Sequence, residues 1–258
     1  ASTREVFARC APLLDPLPDF GFDAQARRFY NCLPRLLQQA GGDVSNVTLE
    51  RVFFDDFDRD MRAFHGIREA FYAEAGVSGD RLPAMTYIEQ PPCREAQQLE
   101  LQVQAVIPKP NGSVAVESFV DDATGATVKL LTIDGRRHLY IADIKGLAAD
   151  ADATGTFREQ ADRMFANAAR LLKPFGARFT EVLRTWCYIS DIDRNYDEFN
   201  LSRNVFFQTE GVTRLPASTG IEAGMWPSHA LCSMDLYVLL DAEGCDIEIM
   251  HTPTLNEA

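Results

Sequence analysis

Metal-binding side chains are sparse in this chain. Four histidines are scattered over 258 residues, and the six cysteines include no C-x-x-C pair. Zinc sites draw their ligands from short, regular spacings, and none occurs here. There is no G-x-G-x-x-G, no Walker loop and no cofactor lysine motif, so any chemistry is expected to be cofactor-free. Basic residues are outnumbered 25 to 38, and the net charge of −13 is spread along the chain rather than gathered in a tail. A field of that sign repels phosphate backbones and anionic lipid, which argues against nucleic acid or a membrane as partner. No apolar run approaches the ~18 residues that cross a bilayer. Dispersed cysteines without a disulfide pattern fit a reducing compartment, and the expectation is a soluble, cytoplasmic protein.

What the chain does have is a phrase written twice. Leu82-Pro83-Ala84-Met85-Thr86-Tyr87-Ile88-Glu89 and Leu215-Pro216-Ala217-Ser218-Thr219-Gly220-Ile221-Glu222 share the frame L-P-A-x-T-x-I-E. Their flanks match as well. Gln25 meets Gln160, Leu36-Leu37 meets Leu171-Leu172, Val47 meets Val182, and Asp56 and Asp58 meet Asp191 and Asp193, all at an offset of 135. The offset becomes 133 at Pro83 and Pro216. A constant offset over this length reads as a tandem repeat with its boundary near residue 110, where Pro108-Lys109-Pro110-Asn111-Gly112 has linker composition. The expected domains are 1–110 and 111–258, the first lacking a match to the opening hairpin of the second.

The second half supplies the element pattern. Residues 113–120 and 128–133 alternate as a hairpin, and 138–144 reads as a third strand. Residues 157–175 place Ala161, Met164, Phe165, Ala168, Leu171 and Leu172 at helical spacing, ending near Pro174 and Gly176. A strand at 181–190, a helix at 194–207 and strands at 218–223 and 231–240 complete the order β-β-β-α-β-α-β-β. The class is α+β, each unit a mixed sheet with two helices on one face.

Strand alternation then sorts the side chains by face. Leu183, Cys187 and Ile189 are expected on the helix side of their strand, leaving Arg184, Trp186 and Tyr188 to meet a neighbouring sheet or a ligand. On the last strand Cys232, Met234, Leu236 and Val238 face the helices, and Ser233, Asp235 and Tyr237 lie opposite. Asp235 is the leading candidate acid/base, a carboxylate on a half-buried strand beside Trp186 and Tyr188. The plainer alternative is a salt bridge to Arg184 or across a subunit contact. Arg184 is a candidate anion holder, and Trp186, Tyr188 and Tyr237 either line an aromatic pocket or fill an interface. Glu222, a second catalytic candidate, has a twin in Glu89, which favours a structural role. Ser218 and Thr219 offer hydroxyls but no accompanying His-Asp pair. Asp143 and Lys145 form either an acid/base pair or a local ion pair.

The helix Gln160 to Leu172, the strand Arg184-Thr185-Trp186-Cys187-Tyr188-Ile189-Ser190-Asp191 and the stretch Pro216 to Glu222 resemble, in order and spacing, the reactive-intermediate deaminase family (Rid, also YjgF or L-PSP). The tandem layout also resembles the chorismatases, which hydrolyse the enol-pyruvyl ether of chorismate. Rid deaminases carry P-A-R-S, whose arginine holds the substrate carboxylate, where this chain has Ser218; the cysteine found two residues later in many members is Gly220. The family's pocket glutamate falls on Asp235. The resemblance implies a small-molecule substrate, with Ser218, Thr219, Gly220 and Asp143 beside it, and a homotrimer with pockets between neighbours. With serine at the arginine position, it points to a biosynthetic hydrolase, lyase or cyclase rather than a standard 2-imino-acid deaminase. The competing class is a non-catalytic metabolite-binding or assembly protein.

Overall fold

The computed structural model describes residues 3–10, 21–94, 96–147 and 155–248. The first unit runs β1 (Thr3–Cys10), α1 (Phe22–Ala40), β2 (Val47–Phe54), α2 (Phe57–Glu74), β3 (Ala84–Glu89) and β4 (Leu99–Pro108). The second runs β5 (Val114–Val120), β6 (Thr127–Ile133), β7 (Arg136–Lys145), α3 (Phe157–Leu172), β8 (Val182–Ile189), α4 (Ile192–Glu210), β9 (Ala217–Glu222), β10 (Gly224–Met225) and β11 (Cys232–Leu239). Among the described residues, no helix is long and apolar enough to cross a membrane.

The sheets are ordered β1-β4-β2-β3-β10 and β5-β6-β7-β11-β8-β9. Both are mixed: β2–β3 and β8–β9 pair in parallel, the other neighbours antiparallel. The order β1-β4-β2-β3 thus matches β7-β11-β8-β9 strand for strand. The fold is α+β, built from two units of matching strand order.

Each helix pair is driven onto its sheet by an apolar stripe. Phe22, Ala26, Phe29, Leu33 and Leu37 of α1 join α2 residues such as Phe64 over Val52, Phe54 and Leu101. In the second unit Phe157, Ala161, Met164, Phe165 and Ala168 of α3 pack on Cys187, Met234 and Leu236. Helix starts are chemically marked. Thr156 and Glu159 form a capping box at α3, and the Asp56 side chain accepts from Arg59 N at α2. The repeated glutamates serve the same end: Glu89 accepts from Phe57 N at 2.9 Å and Glu222 from Ile192 N at 3.1 Å. Carboxylates there also meet the positive end of the helix dipole. The paired glutamines are equally structural. Gln25 bonds Ala96 O and Gln98 N, and Gln160 bonds His229 O and Leu231 N, each fixing the entry to its unit's last strand.

The two sheets pack face to face on the sides their helices leave free. Leu49, Ala84 and Val106 of the first meet Leu131, Tyr140 and Ala142 of the second. The result is four layers: helices, sheet, sheet, helices.

One local expectation needs correction. Leu183 does not share the helix-side core; Val182 does. The β8–β11 register slips between Arg184, opposite Tyr237, and Val182, opposite Val238. That bulge reverses the alternation for one residue, and the first unit slips at the matching place, between Val47 and Leu49. The two-residue β10, which pairs with β3 of the other unit, is too short for periodicity to reveal. Of the six cysteines, five have described side chains, all free thiols; the side chain of Cys10 lies outside the described residues.

Candidate functional site

Asp235 sits between the sheets, 3% exposed, opposite Trp186 in the β11–β8 ladder. Its carboxylate takes four hydrogen bonds. Arg51 Nε donates at 2.8 Å and Tyr188 OH at 3.2 Å to Oδ2; Thr86 Oγ1 donates at 2.8 Å and the Asp143 backbone N–H at 3.0 Å to Oδ1. Arg51 and Thr86 belong to the first unit, so the site is composite. Four donors fill the acceptor capacity of an ionised carboxylate. Burial, and then the charge of Asp235, push the Tyr188 phenol well above the ordinary tyrosine range, which keeps it a donor.

The Asp143 N–H reaches Asp235 because β7 bulges there. Ile144 pairs with Met234 and Ile141 with Leu236, and Asp143 has φ +62°. Aspartate tolerates this left-handed conformation better than most residues. Its own carboxylate is buried and pairs with Lys145 through Oδ2. Burial raises it to about 6, against the pull of Lys145, with the Asp235 charge adding to the rise. Asp143 Oδ1 and Ser233 Oγ are both buried without a hydrogen-bond partner among the described residues. Ser233 stands opposite Lys145 in the ladder.

Two cavities meet at Arg51. An inner void of about 10 Å³ is lined by Arg51, Thr86, Ala84, Tyr140 and Asp235, among others. An open groove of about 190 Å³ is lined by Phe7, Arg9, Leu49, Arg51, Gln102 and Gln104. Arg51 also lies over the Trp186 ring at 4.2 Å from its centroid, and Arg184 lies over it at 5.2 Å. Desolvated cation–π contacts of this kind hold guanidinium groups in place.

The expected residues divide into two groups. Asp235, Tyr188, Trp186 and Asp143 converge with Lys145 and Arg51. Arg184 reaches the edge of the set over Trp186, with its guanidinium bonded to Thr219 Oγ1 on β9. It is not the partner of Asp235: it stands opposite Tyr237, two positions along the ladder, and Arg51 from the facing sheet takes the carboxylate. Tyr237 stacks on Tyr140 at 4.6 Å and meets His138 Nδ1 at 2.9 Å, filling the space between the sheets. Ser218 faces the other side of β9, where Thr185 Oγ1 bonds it at 3.0 Å, and the ideal Cβ of Gly220 would touch only Ile189 of the helix-side core. Glu222 is occupied at the start of α4.

Arg51 and Thr86 went unread from the sequence. The available signal was their position: by the offsets they match Trp186 and Thr219, and Thr86 belongs to the repeated frame. Among the described residues no three of His, Cys, Asp and Glu cluster as metal ligands would.

No protein-family model matches the chain, and no curated protein matches its sequence. Solved structures do match. The YjgF gene product of E. coli aligns at 14% identity over 40% of this chain and 80% of its own, TM-score 0.36. E. coli TdcF with bound serine aligns at 12% identity over the same shares, TM-score 0.36. A chorismatase aligns over 92% of this chain and 75% of its own, at 14% identity and TM-score 0.64. The chain therefore has the two-unit fold seen in that chorismatase.

Proposed function

We propose that the protein is a cofactor-free enzyme acting on a small carbonyl-, imine- or enol-type metabolite at the junction of the two sheets. The observation that supports it best is the pair Asp143 and Asp235, two buried carboxylates in opposite circumstances. Asp235 is held by Arg51, Thr86, Tyr188 and a backbone N–H. Burial raises the Asp143 carboxyl to about 6, and one of its oxygens has no hydrogen-bond partner among the described residues. Carboxylates whose surroundings differ in this way can divide the work of proton donor and fixed charge. In this reading Asp143 exchanges the proton, Lys145 sets its acidity, and Arg51 at the floor of the groove holds an anionic group of the substrate. A biosynthetic hydrolase, lyase or cyclase fits better than an imine deaminase, because Ser218 lies outside the site and cannot supply arginine's bidentate fork.

The test is turnover of 2-iminobutyrate, chorismate and related enol ethers by the purified protein, alongside Asp143→Asn and Asp235→Asn. Loss of at least ~100-fold in kcat in Asp143→Asn is expected for a general acid. Turnover unchanged in that variant rules the role out. One observation favours a second reading, a metabolite-binding protein: the acceptor positions of Asp235 are all taken. Saturable heat of binding with no turnover of the same ligand would select it.

A further inference from the structure

On their helix-facing sides the two units differ in one polar cluster. In the first unit Glu50 of β2 is buried and accepts from Arg68 Nε at 2.7 Å and from Tyr72 OH at 2.8 Å, both on α2. Arg68 also donates to Pro83 O at 2.9 Å, and its guanidinium lies 5.2 Å from the centroid of the Tyr72 ring. A guanidinium and a carboxylate are held in such a place because each answers the other's charge. Met85 stands opposite Glu50 in the β2–β3 ladder and is buried as well.

By the offsets, the residues of the second unit that match Glu50, Arg68, Tyr72 and Met85 are Thr185, Arg203, Phe207 and Ser218. The arginine is kept and its carboxylate is gone. Phe207 has no hydroxyl to give, and Ser218, opposite Thr185 in the β8–β9 ladder, is exposed where Met85 is buried. Thr185 Oγ1 donates to Ser218 Oγ at 3.0 Å, so the O–H of Ser218 is left to donate elsewhere. Cys187 Sγ lies 4.0 Å from the same oxygen. Burial pushes the Cys187 thiol up to about 11, against the hydrogen bonds of Ser218 and Thr185 and the nearby charge of Arg203. Arg203 itself is half-buried on α4 and makes no hydrogen bond or ion pair with a described residue. A guanidinium beside two hydroxyls thus stands without the anion that its counterpart holds.

We propose that Arg203, Thr185 and Ser218 bind a small carboxylate, free or as the end of a larger metabolite, which takes the part of the Glu50 carboxyl group. Threonine ends at its γ atoms, so what Thr185 lacks relative to glutamate is the terminal carboxyl itself. Serine in place of methionine opens the approach from β9, the edge strand of its sheet. Arg203 supplies charge-assisted N–H donors, and Ser218 an O–H in place of the Tyr72 phenol. A planar, singly charged group matches both the space vacated and the fork of the guanidinium, which favours a carboxylate over a phosphate. The site lies on the helix side of the sheet, across it from Asp235, and does not depend on the reaction proposed above.

Acetate is the probe, titrated into the wild type at an ionic strength held constant with sodium chloride and followed by amide NMR. The amides of Thr185 and Ser218 are expected to shift and saturate with acetate and to stay in place with chloride alone. Arg203→Met is expected to weaken acetate binding by about tenfold or more. Thr185→Glu supplies the carboxylate from within the chain. It is expected to abolish the response and to raise the urea midpoint, a gain that Thr185→Glu/Arg203→Met lacks. Asp143→Asn, between the sheets, is expected to bind acetate as the wild type does. A wild type that shows no saturating response, or a response undiminished in Arg203→Met or in Thr185→Glu, would overturn the proposal. So would a response lost in Asp143→Asn, which would put the bound acetate between the sheets.

Discussion

Asp143 is the residue whose behaviour is simplest to check. A carboxyl raised to about 6 in the fold, against about 3.9 in an unfolded chain, is bound to its proton more tightly in the folded state. The stability it contributes is complete below the unfolded value and is lost as pH rises through the window from about 4 to about 6. A side-chain carboxyl titration by NMR is expected to show one aspartate with a midpoint near 6, absent in Asp143→Asn. Replacing Lys145 with methionine removes the charge that opposes the rise, so the midpoint moves further up. A midpoint that falls or stays in Lys145→Met contradicts the pairing. At Arg51 the expected effect is on stability. Arg51→Met leaves the Asp235 charge buried without its partner, a loss of about 3–5 kcal/mol in urea unfolding. The double variant Arg51→Met/Asp235→Leu removes both charges and is expected to recover most of that loss.

At the scale of elements, the glutamate that ends each repeated frame ties a parallel strand to the helix before it. Glu89→Ala and Glu222→Ala each remove an acceptor at a helix start, at a cost of about 1 kcal/mol. Similar losses in both variants, read from thermal or urea midpoints, would show that the two glutamates do one job. The elements were also where the sequence was most readable. Stripes such as Phe157, Ala161, Met164, Phe165 and Ala168 obey helical spacing, and Cys232, Met234, Leu236 and Val238 alternate as the strand requires. Leu183 broke the pattern because one bulged residue reverses a strand's parity, and no side chain at that place announces it. The partner of Asp235 was hidden for another reason. Arg51 is 184 residues away along the chain, and only the packing of one sheet on the other brings them together. Local patterning specifies which face a residue occupies; it does not specify what that face will meet.

For the whole molecule, the offset of 135 made two like units legible and left their arrangement open. The arrangement explains why the aromatic face of β8 and β11 is buried in a single chain: Trp186, Tyr188 and Tyr237 have the first unit against them. It also shows why the exposed surface is uneven, with β9 bare and β3 enclosed. The ion pair from Arg51 to Asp235 has a consequence for how such a chain can change over generations. A charge on one sheet is answered by a charge on the other, so a change at 51 that removes the guanidinium favours an answering change at 235. By the offsets, Trp186 stands at the position matching Arg51 and Gln102 at the one matching Asp235, so neither unit carries both members of the pair.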